Sequence, residues 1–522
     1  MVTRNNRTIA LLLALVMVGS VLAAASVGSP AAAATDSAVD APRAAGQSGA
    51  HAQEAGFDAE SDCAATPPAD GADPDADAIG WENGHWYNDS LDVDQSDGVQ
   101  ADEQEAIVAR TMARVEAVRC IEFDDSVPVT IQSREEFREA QLERDVPDAL
   151  RTFDNAKFEA LFLIGESEDS IEVQNENRGA GILGYYDPRS DEIVVIADSP
   201  EALRIDELTL AHELVHAWQD QQFNITDDPF EVRLRDDANA VDGLVEGDAS
   251  YTETLYQQRC GADWDCLEAQ RGDLGDLANI GVYVLKFQPY SDGPTFVRLT
   301  RTLGGWDAVN ALYERPPESA EQVIHPQRYG ADPPTNVTLD DSATEEWERV
   351  RPPDRPDYAS VGESALMSMF VYPLYDSGGQ TEIVSPSQWF NQNRTGNISD
   401  FNPLNYESRY ADGWDGDRLH VYENESGELG YVWRLTWDSP QDAQQFLEGY
   451  REVLRYRGAS EIEQNTWRID EGDFADAFYV RVDGSNVTIV NAPTVDQLAE
   501  IRPEVGPLPA DDDAEANASA PG

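Results

Sequence analysis

Lysine is almost missing from this sequence. Lys157 and Lys286 are the only two in 522 residues, so arginine supplies nearly all of the 36 basic side chains that face 100 aspartates and glutamates. The resulting net charge of −64 repels nucleic acid and anionic membranes, which excludes both as partners. Acidic residues are scattered through every segment, including those with apolar periodicity, so a detached acidic tail does not account for them. A surface of this kind suits a folded protein adapted to near-saturating salt, where screening is nearly complete beyond about 3 Å. Disorder fits only the two ends. With 41% hydrophobic residues and 11 tryptophans the chain can build real cores, and its length suits two or three units with tails.

Cysteine is scarce as well. Cys63, Cys120, Cys260 and Cys266 are even in number and lack C-x-x-C spacing, a pattern that reads as disulfides in an exported chain. The simplest of three pairings joins Cys260 to Cys266 across a short loop and Cys63 to Cys120. Long apolar runs are confined to one place. Arg4 and Arg7 precede a run from Ile9 to about Ala25, followed by small residues suited to A-x-A cleavage. Residues 1–25 are therefore expected to be a secretory signal. The alternative is an uncleaved anchor, which Gly19 and Ser20 weaken. No other stretch has the length and polarity to cross a bilayer, so the expected location is extracellular or at the cell surface. Asn-x-Ser/Thr sequons at Asn88, Asn224, Asn336, Asn393, Asn397, Asn424 and Asn486 allow glycosylation there.

Composition and periodicity divide the rest. Residues 26–78, rich in Ala, Asp, Gly and Pro, read as a disordered linker. A catalytic domain is expected over 79–350, a helical or loop connection over 351–410 around the cluster RPPDRPD, a small domain over 411–505, and a disordered acidic tail over 506–522. Within the first domain, EAIVARTMARVEAVRCIEF has helical periodicity through Ile107, Met112, Val115 and Val118. VPVTIQ and FEALFLIG read as strands. GILGYYDPRSDEIVVIA reads as a hairpin turning through Asp187, Pro188, Arg189 and Ser190. DDANAVDGLVEGDASYTETLYQQRC reads as a helix weakened by Gly243 and Gly247, for which close helix packing is the expected reason. GPTFVRLTRTLGGWDAVNALYE reads as helices broken at Gly304 and Gly305, and GESALMSMFVYPL as a short helix. From Arg418 onward a β-β-α-β-β run predicts a small α+β domain, with Trp414, Trp433, Trp437 and Trp467 in its core. The chain as a whole is expected to be α+β.

Six histidines occur in the whole sequence, and two of them lie in LTLAHELVHAWQDQQF. Four residues is a little over one helical turn, so His212 and His216 project from one face with Glu213 beside them. A catalytic zinc takes three protein ligands and keeps one open position. Glu246, in LVEGDAS, is the best third ligand, on a following helix whose Gly247 and Ala249 allow close approach; Asp242 is its rival. Asp242 and Asp248 are also candidates to accept the outer N–H of a ligand histidine. Glu213 is not a ligand in this scheme but the general base, able to deprotonate water and pass the proton to a leaving amine. His325, in VIHPQRY, could hydrogen-bond a tetrahedral oxyanion, against a structural role beside Pro326. His51, His85 and His420 have no metal spacing.

HELVH followed by a glutamate in an EGDA setting resembles zinc metallopeptidases of the gluzincin type. The longer string HELVHAWQDQQF, with VEGDA, GGWDAV and PPESAEQVIHPQRY, is similar to secreted surface proteins of haloarchaea and to related bacterial zincin-like proteins. The resemblance covers roughly residues 80 to 500 and is densest between Tyr185 and Tyr329. It implies a zincin-like domain with a mixed sheet and active-site helices, Zn²⁺ held by His212, His216 and Glu246, Glu213 as base, and a peptide or protein substrate. Oligomeric state is not read from the sequence. The competing expectation is a glycosylated surface or adhesion protein that keeps the fold and hydrolyses nothing; the intact Glu213 favours the enzyme.

Overall fold

A computed structural model describes residues 63–69, 71–142, 146–197, 204–267 and 277–505. The expected signal at 1–25, most of the linker and the tail at 506–522 lie outside the described residues. Helices and several sheets make the protein α+β, and it divides into two compact units. The first comprises described residues up to Val146, then Ser170–Pro334 and Val361–Asp412; the second comprises Pro147–Asp169, Thr335–Ser360 and the described chain from Gly413 onward.

The first unit holds a three-stranded sheet of β1 (Val129–Ser133), β2 (Gly184–Asp187) and β3 (Glu192–Ala197) in the order β1-β3-β2. β1 runs parallel to β3, and β2 runs antiparallel to it as the expected hairpin. The turn closes because Asp187 accepts from the Arg189 amide and Asp191 adopts φ 53°, a conformation Asp tolerates well. Helices α1 (Ala101–Arg119), α2 (Glu207–Phe223), α3 (Arg235–Arg259), α4 (Ile280–Asn310), α5 (Ala320–Ile324) and α6 (Gly362–Asp376) supply the rest of its frame. Ile107, Met112 and Val115 of α1 share one apolar cluster with Leu210, Leu214 and Val215 of α2 and Tyr256 of α3.

Close helix approach explains the glycines of α3. A Cβ on Gly247 would fall 2.6 Å from the carbonyl carbon of Gly293 on α4, and one on Gly243 would fall 2.7 Å from Val323 on α5. α3 therefore packs backbone against backbone with α4, and against the Val323 side chain of α5. α4 begins well before the expected helix and carries Pro289 and Pro294 inside it, although proline ordinarily ends a helix. It kinks only at Gly305, with φ 73° and ψ −171°.

Charge, too, is buried in this frame. Arg110 and Arg114 of α1 both grip Glu207, the first residue of α2, at 3.0 and 2.5 Å, and the Tyr256 hydroxyl donates to the same carboxylate. The pair locks α1 across the N-terminus of α2, where a negative charge also meets the helix dipole favourably. Cys63 and Cys120 lie at disulfide distance, with Cα atoms 5.2 Å apart, as do Cys260 and Cys266 at 5.4 Å. Residues 63–69 and 71–78, expected in the linker, are not detached: Ala65 donates to Ile79, and the indoles of Trp81 and Trp86 reach Asp73 and Ala72. Composition cannot reveal such anchoring. Among the described residues, no helix is long and apolar enough to cross a membrane.

The second unit is a seven-stranded antiparallel sheet built from β4 (Trp347–Arg349), β5 (Trp414–Asn424), β6 (Leu429–Trp437), β7 (Ser460–Glu463), β8 (Thr466–Arg468), β9 (Ala477–Asp483) and β10 (Asn486–Ala492). Their order is β4-β5-β6-β10-β9-β8-β7. Helix α7 (Pro440–Tyr456) starts at Ser439, whose side chain caps the Asp442 amide, and buries Phe446, Tyr450, Val453 and Leu454. Trp414, Trp433, Trp437 and Trp467 are all buried, and Phe446 packs on Trp433 and Trp437. The four-stranded β-β-α-β-β expectation thus becomes seven strands, with β4 added before it and four strands in place of two after α7. FEALFLIG is not a strand: helix Asp148–Ala160 ends there, and Phe162 at φ 54° turns the chain against Tyr450, Phe474 and Phe478. A short apolar run has no period to tell helix from strand. The chain divides elsewhere than at the expected 350, because 147–169 and 335–360 are packed into the second unit and α6 into the first, while the last segment of the second unit begins at Gly413, two residues from the expected start.

Candidate metal centre

Helix α2 is set by its ends. Asp206 caps the Thr209 amide, and Asn224 closes the last turn at φ 49° with its N–H on the Asp220 carbonyl. Between them almost every residue from Glu207 to Gln219 is buried, the two histidines included. His212 and His216 are 1% and 6% exposed, Glu213 1% and Glu246 7%.

Their polar atoms converge. Glu246 Oε2 lies 3.2 Å from the Nε2 of His212 and 3.2 Å from that of His216, and these three atoms all fall within 4.8 Å of one another. The imidazoles stand nearly perpendicular, with centroids 4.8 Å apart. The opposite ring nitrogens are held from outside. His212 Nδ1 meets Glu253 Oε2 at 3.2 Å, and His216 Nδ1 meets Gln219 Oε1 at 2.8 Å. Gln219 cannot turn its amide over, since its Nε2 already donates to the Val245 carbonyl and to the Tyr313 hydroxyl. His216 Nδ1 is consequently the protonated nitrogen, and Nε2 offers a lone pair. Tyr313 passes the constraint on to Asp248, which Arg119 grips through two nitrogens at 2.7 and 2.9 Å.

Two atoms at the centre lack a well-formed hydrogen bond: Glu213 Oε1 is buried without any, and His216 Nε2 has only the 3.2 Å approach of Glu246, a costly state for polar atoms. Two imidazoles and a carboxylate suit a divalent first-row ion such as zinc, so the residues present fit a metal. Burial opposes charge on His212, but its hydrogen bonds to Glu246 and Glu253 outweigh that and raise its pKa. His216 is raised likewise, by the Glu246 charge against burial. Glu246 moves the other way, down to about 2, because the His216 charge and the His212 bond overcome its burial. Glu246 is thus held ionised by positive charge beside it, a charge that a bound cation would supply in its place.

Glu213 stands beside the three. Its Oε2 accepts from the Tyr186 amide of β2 at 3.0 Å, and burial raises its pKa. The hairpin is itself pinned to α2 through the Tyr186 hydroxyl on Asp220. A cavity of about 130 Å³ opens at this point. Glu213, His216 and Glu246 line it, with Phe230, Val241 and Val245 among the apolar walls.

The other expected site residues fall elsewhere. Every ring nitrogen of the two histidines meets Glu246, Glu253 or Gln219, so neither Asp242 nor Asp248 is the direct outer acceptor. Asp248 acts at one remove, through Tyr313 and Gln219. Asp242 lines the cavity, its pKa pushed up to about 7 by burial and the Glu246 charge. His325 is absent from the cavity wall and bonds Glu363 instead. Glu253 and Gln219 escaped the sequence reading although spacing holds a signal for each: Gln219 follows His216 by three, and Glu253 follows Glu246 by seven, so each shares a helix face with its neighbour. Tyr290 of α4, which hydrogen-bonds Glu246, had no such signal.

A family profile described as a domain of unknown function (DUF8575) matches residues 348–502, a span that excludes His212, His216 and Glu246. No curated protein and no solved structure matches the chain.

Proposed function

We propose that the protein is an exported zinc peptidase with a zincin-like catalytic domain, working in high salt. One observation carries the reading: two imidazoles and a carboxylate converge in a buried pocket with a second carboxylate, Glu213, beside them. His212, His216 and Glu246 would hold the ion. When bound, zinc polarises a scissile carbonyl and acidifies water.

The chain's own groups do the rest. Tyr186 N–H fixes one oxygen of Glu213, leaving Oε1 to take a proton from an attacking water. Burial makes that carboxylate a stronger base and lets it return the proton to the leaving amine. Strand β2 is an edge of its sheet, and such an edge beside the pocket suits an extended peptide held by main-chain hydrogen bonds. Export is supported by the two cysteine pairs at disulfide distance.

The deciding test is Glu213→Gln, assayed on casein in molar KCl together with metal analysis. The variant should retain about one zinc at the centre and lose on the order of 10²- to 10⁴-fold in turnover, whereas His216→Ala should lose metal and activity together. A Glu213→Gln protein as active as wild type sinks the mechanism. A folded, zinc-loaded wild type inactive on a broad peptide library favours a surface protein that hydrolyses nothing.

A further inference from the structure

His325, the C-cap residue of α5, is 5% exposed and surrounded by carboxylates from other segments. Its Nε2 lies 3.1 Å from Glu363 Oε1, in the first turn of α6, and 3.8 Å from Asp412 Oδ1; its Nδ1 lies 3.9 Å from Glu407 Oε1. The ligand atoms of His325, Glu363 and Asp412 fall within 4.8 Å of one another. Asp292 of α4 acts on the same group, since His325, Glu363 and Glu407 all contribute to its electrostatic environment. The arrangement differs from the first centre, where one carboxylate oxygen lies between two imidazole nitrogens: here one imidazole nitrogen is turned to two carboxylates and the other toward a third.

Charge does not balance there. Four carboxylates meet one imidazole, and the nearby Arg328 is divided among Glu321, Asp332 and Asp412. Glu363 is 0% exposed, yet its Oε2 has no hydrogen-bond partner, and Oδ2 of Asp292 is in the same state. A buried carboxylate oxygen without a donor must be satisfied by a proton or a cation. Burial does push both acids up, which is the cost a cation would remove. Entry is open on one side, since Asp412 and Glu407 are more than half exposed.

We propose that His325, Glu363 and Asp412, with Asp292 beside them, form a second divalent-metal site that takes a first-row transition ion and ties α4, α5 and α6 to the 407–412 loop. One nitrogen among carboxylate oxygens selects Mn²⁺ or Zn²⁺ over the all-oxygen preference of Ca²⁺. The site is separate from the peptidase centre, and the two are tested independently.

Mn²⁺ is the probe, titrated in molar NaCl into the full chain carrying His212→Ala and His216→Ala and followed by electron paramagnetic resonance. The expected result is about one bound Mn²⁺ per chain with ¹⁴N hyperfine coupling, which non-specific binding to surface carboxylates does not produce. His325→Gln should abolish the coupling, and Glu363→Gln should weaken binding about tenfold or more. Asp412→Asn, at the exposed rim where folding is not at risk, should weaken it in the same direction. In parallel, the chain with both wild-type centres should hold two zinc ions and Glu363→Gln one. A folded His212→Ala, His216→Ala chain without nitrogen-coupled Mn²⁺, or a zinc count that Glu363→Gln leaves unchanged, overturns the site and leaves a metal-free imidazolium–carboxylate cluster.

Discussion

Two buried pairs of carboxylates, one in each unit, are held by opposite means. In the first, Glu207 and Asp248 are 0% exposed and each meets a guanidinium of α1, Arg110 and Arg114 for one and Arg119 for the other. In the second, Glu159 and Asp476 are 7% and 2% exposed and face each other and Glu166. Burial, with the neighbouring acids, raises Glu159 well above its ordinary range, while Asp476 rises to about 6. Glu207 and Asp248 meet arginines, whereas Glu159 and Asp476 meet another acid. The difference matters because an ion pair is directional: Arg119 fixes Asp248, Asp248 fixes Tyr313, and Tyr313 with Gln219 fixes the His216 ring. Among the described residues, the Glu159 and Asp476 pair has no guanidinium to orient it; Asp476 accepts instead from the Asn491 amide.

Arg114→Ala tests the paired mode most severely. It strands Glu207 and the Tyr256 hydroxyl in a dry site, and losing one partner of a buried pair costs about 3 to 5 kcal/mol. Denaturant unfolding at constant molar KCl reads this directly; a loss below about 1 kcal/mol would mean that Arg110 alone suffices. Gly247→Val comes next. Its Cβ meets the Gly293 backbone, which cannot yield as a side chain can, so overpacking should cost about 1 to 3 kcal/mol and loosen metal binding through the neighbouring Glu246. Unchanged stability and zinc affinity would show that the α3–α4 crossing tolerates separation.

The smallest effect belongs to the protonated mode and appears as a slope. A carboxyl raised on folding contributes stability that is fully present below its unfolded value, 4.5 for Glu159, and is lost as pH rises toward the folded value. Glu159→Gln stays neutral throughout and can still donate to Asp476. The variant should therefore gain on wild type as pH rises from about 4.5 to 8. A pH-independent difference would show that Glu159 is ionised in the fold.

Much of the molecule was legible because its periodicity is local. The β2–β3 hairpin, α1, α3, α7 and the tryptophan core of the second unit follow from alternating or helical apolar patterns, with Ser439 and Pro440 marking where α7 starts. FEALFLIG was misread because eight apolar-rich residues at a helix end carry no period. The extent of α4 was hidden by Pro289 and Pro294, whose tolerance depends on what packs around them. For the candidate centre, the i, i+4 histidines and the glycines beside Glu246 were visible in the chain, while the roles expected of Asp242, Asp248 and His325 were not those the fold gives them.

By itself the sequence determined that His212, Glu213 and His216 share a helix face, since spacing against a 3.6-residue turn requires it, and that a carboxylate-bearing helix with small residues follows. Only tertiary structure decided which carboxylate meets the histidines, which groups hold their outer nitrogens, and that His325 gathers acids from α6 and the 407–412 loop. Those pairings join residues from 3 to 87 positions apart. They depend on how closely α3 and α4 cross and on which polar atoms burial leaves without water, and neither quantity is encoded in any local stretch of the chain.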